Sequence, residues 1–508
     1  MISRRKASIR NTVIALLSEV LVTAVGLLFP KAVIVNYGSE ANGLVTSLQQ
    51  FIQYFTLLEA GLSGAAVFAL YKPLAEGNQE QIERILYSAK KMYSKIGGVF
   101  VAIVAAVSIV YPYFIADTGY SNVVVSALFC LIGLNGATQL LFIGKYKVLL
   151  NASQNSRYVT MLNASTSCLY SIVIIVASYC KLPLLIAVSL GVTAYLVRAA
   201  AYHIVTKKLF SRYSFSYHGD VYRFQNQKEV FIQQILSLIV LNSSVLIMSF
   251  TKTDMTEISV FTVYNMVLTA VFMVTNAVNT GVSASFGDLI ARNDKERLQG
   301  AYCEYELIFQ IFWTVVFSCV LVLYQPFIAL YTVGFEDGNY LRPSLCILFG
   351  VLGAIWTIRN QQSAIIVAAG KFKEIQRGSV IEAVLTVILS IIGLYAIGIE
   401  GLLIGRIISA VYRVIDFVRF SAKEVVKCGL RFTAIQMLVS ILVVALVCGI
   451  CVVLQQIFVI ETYISWIIFA CLTALLALIL SLAANCLVNR NQLKRVLYKL
   501  SRHKSKGM

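Results

Sequence analysis

Ionisable side chains inside stretches that are otherwise apolar include Lys31, Arg198, Arg359 and Arg406 among the bases, and Glu19, Glu59 and Glu382 among the acids. A charge at mid-membrane costs about 2.5–3.5 kcal/mol on insertion scales, so such residues face protein or water and mark where an ion or polar solute is handled. Two chemistries are open to them. Grouped arginines and lysine can bind an anion, and carboxylates that gain and lose a positive charge can couple ion movement to another step. Arg359 is the foremost candidate, because Asn360, Gln361 and Gln362 follow it in TIRNQQSA and that much polarity cannot face lipid. Asn242, with Ser243 and Ser244, makes a smaller polar patch. At about 1.5 Å of rise per residue, Glu19, Glu59 and Arg198 lie roughly 14–18 Å deep in the same half of the membrane. Either they face one cavity, or Glu19 or Glu59 neutralises Arg198 and fixes local packing. Arg406 and Lys31 lie nearer the opposite face and can reach headgroups by snorkelling.

The elements that position these residues follow from composition. The chain has 508 residues, 59% hydrophobic and 13% charged, with mean hydropathy +0.80. Soluble globular domains carry about a quarter of charged residues. A span needs about 20 apolar residues. That criterion places fourteen, at 11–35, 41–71, 92–111, 122–144, 158–180, 184–206, 229–250, 258–288, 302–324, 339–366, 378–396, 400–419, 433–458 and 463–487. Most of the 42 Lys and Arg residues lie in the two ends and in alternate gaps, such as Lys90, Lys91 and Lys95, then Lys207, Lys208 and Arg212. The other gaps carry Glu40, Asp117, Asp254, Glu257, Glu336, Asp337 and Glu461. This positive-inside alternation predicts an all-α polytopic membrane protein with both termini cytoplasmic. The net charge of +18 then reads as topology and attraction to anionic lipid, not nucleic-acid binding. Arg4, Arg5, Lys6 and Arg10 resemble the start of a signal peptide, but the following run is long and lacks a small-residue cleavage site, so it reads as a retained first span.

The chain also repeats. Ser39-Glu40 opens the second span and Thr256-Glu257 the eighth, an offset of 217 residues, and YPYFI around Pro112 answers YQPFI around Pro326 at an offset of 214. Two six-span halves of equal topology, related by an axis along the membrane normal, are a transporter architecture. The expected division is 1–215, 216–430, and 431–508 for spans thirteen and fourteen with a basic tail. Two segments have the pattern of helices lying on the inner leaflet: Ile82, Ile85, Leu86 and Ala89, and Leu493, Val496, Leu497 and Leu500.

Catalysis finds no support. The sequence has no P-loop, no G-x-S-x-G and no metal-ligand spacing, so the expectation is a non-enzyme with no metal and no cofactor. Three histidines are far apart, and the C-x-x-C at Cys448 and Cys451 lies in an apolar run, where cysteines serve packing.

NYGSEANGL, LLEAGLSGAAVFALYKPLAEGN, EISVFTVYNMV and SASFGDLIARNDKERL resemble the polysaccharide-transporter (Wzx-like) branch of the multidrug/oligosaccharidyl-lipid/polysaccharide (MOP) exporter superfamily. That superfamily also holds the multidrug (MATE) antiporters and the lipid II flippase. The resemblance implies a V-shaped pair of six-helix lobes that alternates between inward and outward openings. It also implies a cargo of undecaprenyl-diphosphate-linked oligosaccharide, flipped across a bacterial plasma membrane for surface polysaccharide synthesis. Arg359, Arg198, Arg406, Lys31 and Asn242 would then meet the substrate, since the guanidinium fork suits pyrophosphate. The partners implied are the lipid-linked substrate, membrane lipids, and a polysaccharide polymerase with a chain-length regulator. Many relatives carry an acid in the seventh span, whereas VLNSSVLIM carries none. The alternative of the same fold is a MATE-like cation antiporter with Glu19 and Glu59 as coupling carboxylates. A third reading, a membrane scaffold for glycan assembly, leaves the embedded charges without a use.

Overall fold

A computed structural model describes residues 4–56, 59–217, 219–224, 228–291, 295–371, 373–426, 430–490 and 492. Every regular element among them is helical: α1 Arg4–Tyr37, α2 Ser39–Thr56, α3 Ala60–Glu76, α4 Gln79–Val110, α5 Asn122–Thr138, α6 Gly144–Ala152, α7 Ser156–Tyr179, α8 Leu184–Leu209, α9 Lys228–Phe250, α10 Met255–Ala291, α11 Lys295–Tyr331, α12 Pro343–Ala368, α13 Gln376–Ile397, α14 Ile399–Phe420, α15 Leu430–Ile457 and α16 Tyr463–Val488. Among the described residues, twelve helical stretches are long and apolar enough to cross a membrane. The chain is thus a multi-pass membrane protein, as its composition requires. The 22-residue α14 falls outside the twelve because Glu400, Arg406, Arg413, Asp416 and Arg419 ride on it.

The chain divides into two compact units: residues 1–263 with 334–338, and residues 264–333 with 339–508. In the first, α1 packs on α7, α7 on α8, and α5 on α2, α4 and α8. Buried Tyr111 and Phe129, half-buried Phe51 and exposed Phe250 form an aromatic group with ring centroids 5.2–5.8 Å apart. The start of α2 is fastened twice: Asp337 Oδ2 accepts from the Ser39 backbone N–H at 2.5 Å, and Glu40 Oε1 accepts from the Gly119 N–H at 2.6 Å. Asp337 thereby satisfies an orphan donor of the helix N-terminus.

In the second unit α13 and α14 form a hairpin turned at Gly398, whose φ of +70° is open to glycine at little cost. Gly393 and Gly401 bring the two backbones into contact, because a Cβ on either would strike the carbonyl of the other. This is the small-residue packing that membrane helices use when apolar surface gives no net drive. α11 packs against α12, α15 and α16.

Two sequence expectations need correction or restriction. The stripe of Ile82, Ile85, Leu86 and Ala89 does not lie on lipid: all four are fully buried in the first turns of α4, which packs on α3 and α6. The polar residues beside the stripe hold the segment that leaves α8. Glu83 accepts from the Ser214 N–H at 3.0 Å, Arg84 Nε donates to the Asp220 carbonyl at 2.8 Å, and Ser88 Oγ accepts from the Tyr222 N–H at 2.8 Å. An amphipathic pattern fits a protein-facing helix as well as a lipid-facing one, and here protein covers the stripe. The second stripe, Leu493 to Leu500, lies outside the described residues.

Candidate functional site

In the first unit a cavity of about 420 Å³ opens among α1, α2, α5, α7 and α8. Gln49, Gln50 and Gln53 line it from α2, Thr166, Ser167 and Ser171 from α7, and Asn135 and Arg198 from α5 and α8. The glutamines recur at helical spacing along one side of α2, which is why one cavity receives them all. Tyr170 and Tyr195 stack at 5.2 Å on its wall. Arg198 is 9% exposed and donates from Nη2 to Asn135 Oδ1 at 2.8 Å, while its Nε makes no hydrogen bond. Its partner is therefore a neutral amide. The pairing with Glu19 or Glu59 is not formed. Glu59, buried, accepts from Lys147 Nζ and Gln139 Nε2, each at 3.0 Å. Gln139 opens a π-helical turn, Gln139–Ile143, that links α5 to α6; a single π turn shifts the side-chain register, and such turns recur at functional sites. Glu19 is exposed on α1 and, among the described residues, makes no ion pair. Lys31 is half-buried on the same helix.

The second unit holds a charge network. Arg359 grips Glu382 with two bonds, Nε to Oε1 at 2.7 Å and Nη2 to Oε2 at 2.9 Å. Arg413 places Nε 3.3 Å from Glu382 Oε2 and donates to Asp416 at 2.6 Å and to the Ile375 carbonyl at 3.0 Å. The hairpin of α13 and α14 makes this possible by bringing Glu382 beside Arg413, and Gly378 leaves the space that the Arg413 guanidinium fills. Trp356 and Phe417 face the two guanidiniums, at 4.9 Å from Arg359 and 3.9 Å from Arg413, so cation–π attraction adds to the ion pairs. Arg359 directs Nη1 to Asn360 Oδ1 at 3.3 Å.

A third group surrounds Glu306 on α11, which is fully buried. Gln361 Nε2 donates to its Oε2 at 2.6 Å and Gln310 Nε2 to its Oε1 at 3.2 Å. Gln362 Nε2 lies 3.4 Å from Oε2 and takes a 2.6 Å bond from Ser421 Oγ on its carbonyl. The polarity of Gln361 and Gln362 is thus directed at a carboxylate, separate from the one Arg359 grips. Arg406 is 5% exposed on α14, and Asn242 is half-buried on α9 beside buried Ser243 and Ser244.

The structure gathers Arg198 with a polar cavity, and Arg359 with Glu382. It leaves Glu19 apart from Arg198 and gives Glu59 a different base. Sequence reasoning missed Arg413 and Glu306. Arg413 stands one turn before Asp416 and reads as part of the charged end of its span, and Glu306 lies four residues into its span, after Glu304. Full burial with no alternative route to water is the signal that separates both from their neighbours.

No family model and no curated protein matches the chain. Solved structures do. Lipid II flippase MurJ, in an inward closed conformation, aligns over 95% of this chain and all of its own at TM-score 0.68 and 13% identity. An inward-facing multidrug-resistance MATE transporter of the MOP superfamily aligns over 79% of this chain and 94% of its own, at TM-score 0.63 and 14% identity. A MOP-superfamily transporter from Pyrococcus furiosus, described as having a binding pocket of reversed polarity, covers 82% and 95% at TM-score 0.56 and 14% identity. The fold of this chain is that of the MATE and MurJ transporters of the MOP superfamily.

Proposed function

We propose that this chain is a flippase that moves an undecaprenyl-diphosphate-linked oligosaccharide from the cytoplasmic to the outer leaflet of a bacterial plasma membrane by alternating access, for surface polysaccharide synthesis. The observation that carries the reading is Arg198: a nearly buried guanidinium in a polar cavity, bonded to an amide and not to an acid. Its charge is available to an anionic group, and the glutamines, hydroxyls and stacked tyrosines around it are the donors, acceptors and flat faces that sugars take up. The fold shared with a lipid II flippase over 95% of the chain supports a lipid-linked cargo. In this reading Lys31 and Asn242 are further polar groups of the first unit, and Arg359, with Nη1 directed away from Glu382, and Arg406 are those of the second. Glu19 and Glu59 are the coupling carboxylates of the antiporter alternative. Both termini face the cytoplasm, and the product passes to a polymerase and its chain-length regulator.

The second reading, a cation antiporter, draws on the MATE neighbours and on a carboxylate, Glu306, that no base neutralises among the described residues. Removing the protein from its native host separates the two. The flippase reading expects lost surface polysaccharide with lipid-linked precursor accumulating on the cytoplasmic side. Intact polysaccharide with raised sensitivity to cationic drugs would instead establish the antiporter.

A further inference from the structure

Two buried charges of opposite sign stand near each other in the first unit without pairing. Glu59 is 6% exposed and Arg198 9%, and the carboxylate acts electrostatically on the guanidinium. Neutral amides hold them apart. Asn135 Oδ1 takes Arg198 Nη2 at 2.8 Å, and Gln139 Nε2 donates to Glu59 Oε2 at 3.0 Å. The two amides are one helical turn apart in sequence, about 6 Å of rise. Glu59 pairs instead with Lys147, whose Nζ lies 3.0 Å from Oε1. The other groups around the carboxylate are the hydroxyls of Tyr93 and Tyr202, which bring no second charge. Tyr202 follows Arg198 by one turn on α8, so that face of α8 is turned toward Glu59.

The two bases that Glu59 can reach are not equivalent. The Lys147 side chain is 24% exposed, and its flexible stem lets the ammonium find water when the carboxylate leaves. Arg198 has no such outlet. Its Nε is buried and makes no hydrogen bond, and a buried donor without a partner is costly. Moving Glu59 from Lys147 to Arg198 therefore exchanges one ion pair for another. It frees a base that water can solvate and completes a base that water does not reach. The two arrangements are balanced for that reason, and the glutamate passes between them by changes of its own staggered rotamers.

We infer that Glu59 exchanges partners: paired with Lys147 it leaves the Arg198 guanidinium to an anion in the cavity, and paired with Arg198 it displaces that anion. A transport site must release its cargo as well as bind it, and an internal carboxylate that competes for the same guanidinium supplies the release. The two states have different affinities for the anion, which is the condition for binding and conformation to bias one another. Gln139 opens the π turn Gln139–Ile143, so loss of its bond to Glu59 is felt where the helix can change register. The exchange concerns the first unit alone. Its consequence for an anion rests on the reading that the Arg198 cavity takes one.

The exchange is tested without a ligand, by thermal unfolding of the purified full chain in detergent at fixed pH and ionic strength. Lys147→Met and Arg198→Ala should each lower the midpoint by no more than about 2 °C, because Glu59 keeps one base. The double variant should lose at least about 3 °C beyond the sum, because only there is the carboxylate stranded. Additive losses would overturn the exchange. Should the double variant not fold, Glu59→Gln is added to Lys147→Met. Little gain is expected, and a restored midpoint would mean that loss of Lys147 alone strands Glu59, which also overturns it. Inorganic pyrophosphate then tests the consequence for the cavity. It should raise the wild-type midpoint, and Lys147→Met should need at least about tenfold more for the same shift, since Glu59 there holds Arg198. Adding Glu59→Gln should bring the requirement back to the wild-type level. Equal responses of the wild type and Lys147→Met would overturn control of the cavity by Glu59. No response in the wild type, with the non-additive loss present, would uphold the exchange and remove the anion reading of the cavity.

Discussion

Asn42 Nδ2 donates to Ser259 Oγ at 2.8 Å, and the two residues are 217 positions apart, the offset at which the sequence repeats. Both residues lie in the first compact unit, where the contact joins the start of α2 to the start of α10. Beside it, Gly43 presses on the backbone of Met255, so closely that a Cβ would overlap the carbonyl.

That overlap is with backbone, which cannot rotate away. Gly43→Ala should therefore destabilise the protein by about 1–3 kcal/mol, the usual cost of overpacking. Gly26→Ala on α1 is the control, since nothing lies within 4 Å of a Cβ there. Thermal unfolding of the two variants checks this, and equal midpoints would show that the α2–α10 contact is looser than described.

Glu382 holds two arginines, and each arginine has a different second partner. Glu382→Ala leaves both guanidiniums buried without their shared counter-ion, at a cost of about 3–5 kcal/mol. Arg359→Ala should cost less, because Arg413 still neutralises the carboxylate at 3.3 Å. Yield of monodisperse protein and its unfolding midpoint should follow that order. A larger loss for Arg359→Ala would mean that Arg413 does not compensate. One consequence is that lost export in Arg359→Ala counts against a ligand contact unless the variant is shown to be folded.

Arg198 makes the opposite prediction. It has no acid to strand, so Arg198→Ala should shift the unfolding midpoint little while lowering surface polysaccharide at least about tenfold, the effect of losing one charge-assisted contact. Asn135→Asp tests the same idea from the other side. It places a carboxylate where the amide now accepts at 2.8 Å, and should silence Arg198 while leaving the fold intact. Full export in both variants would remove the cavity from the transport path.

The helices were legible because length and apolarity suffice to define a span, and α13 and α16 match their expected bounds closely. The pairing of the charges was not. Glu382 and Arg359 are 23 residues apart on neighbouring helices, and Glu59 finds Lys147 across 88. Those distances in sequence carry no spacing rule, unlike the i, i+4 relation within one helix. The proline motifs also diverge: Pro112 lies in the 3-10 turn that ends α4, whereas Pro326 sits inside α11, which continues to Tyr331. Similar local sequence was resolved differently by what each helix packs against.

The segment leaving α8 shows the same dependence on partners, and offers a last test. The sequence gives it the composition of a solvated linker, rich in Ser, Tyr and charge. In the structure α4 holds it at five places, with Gln79 to the Arg212 carbonyl at 3.0 Å and Tyr217 to Glu80 at 3.3 Å adding to the three bonds from Glu83, Arg84 and Ser88. Each bond is worth about 1 kcal/mol net, and bonds in one strap open together. Glu83→Ala removes the acceptor for the Ser214 N–H and for Gln79 at once. Opening of the strap should become at least about fivefold more frequent, and trypsin cleavage after Arg212 or Arg223 should accelerate by the same factor, since cleavage follows the population of the open form. Unchanged cleavage would mean that the strap is held by its aromatic side chains, with the polar bonds following.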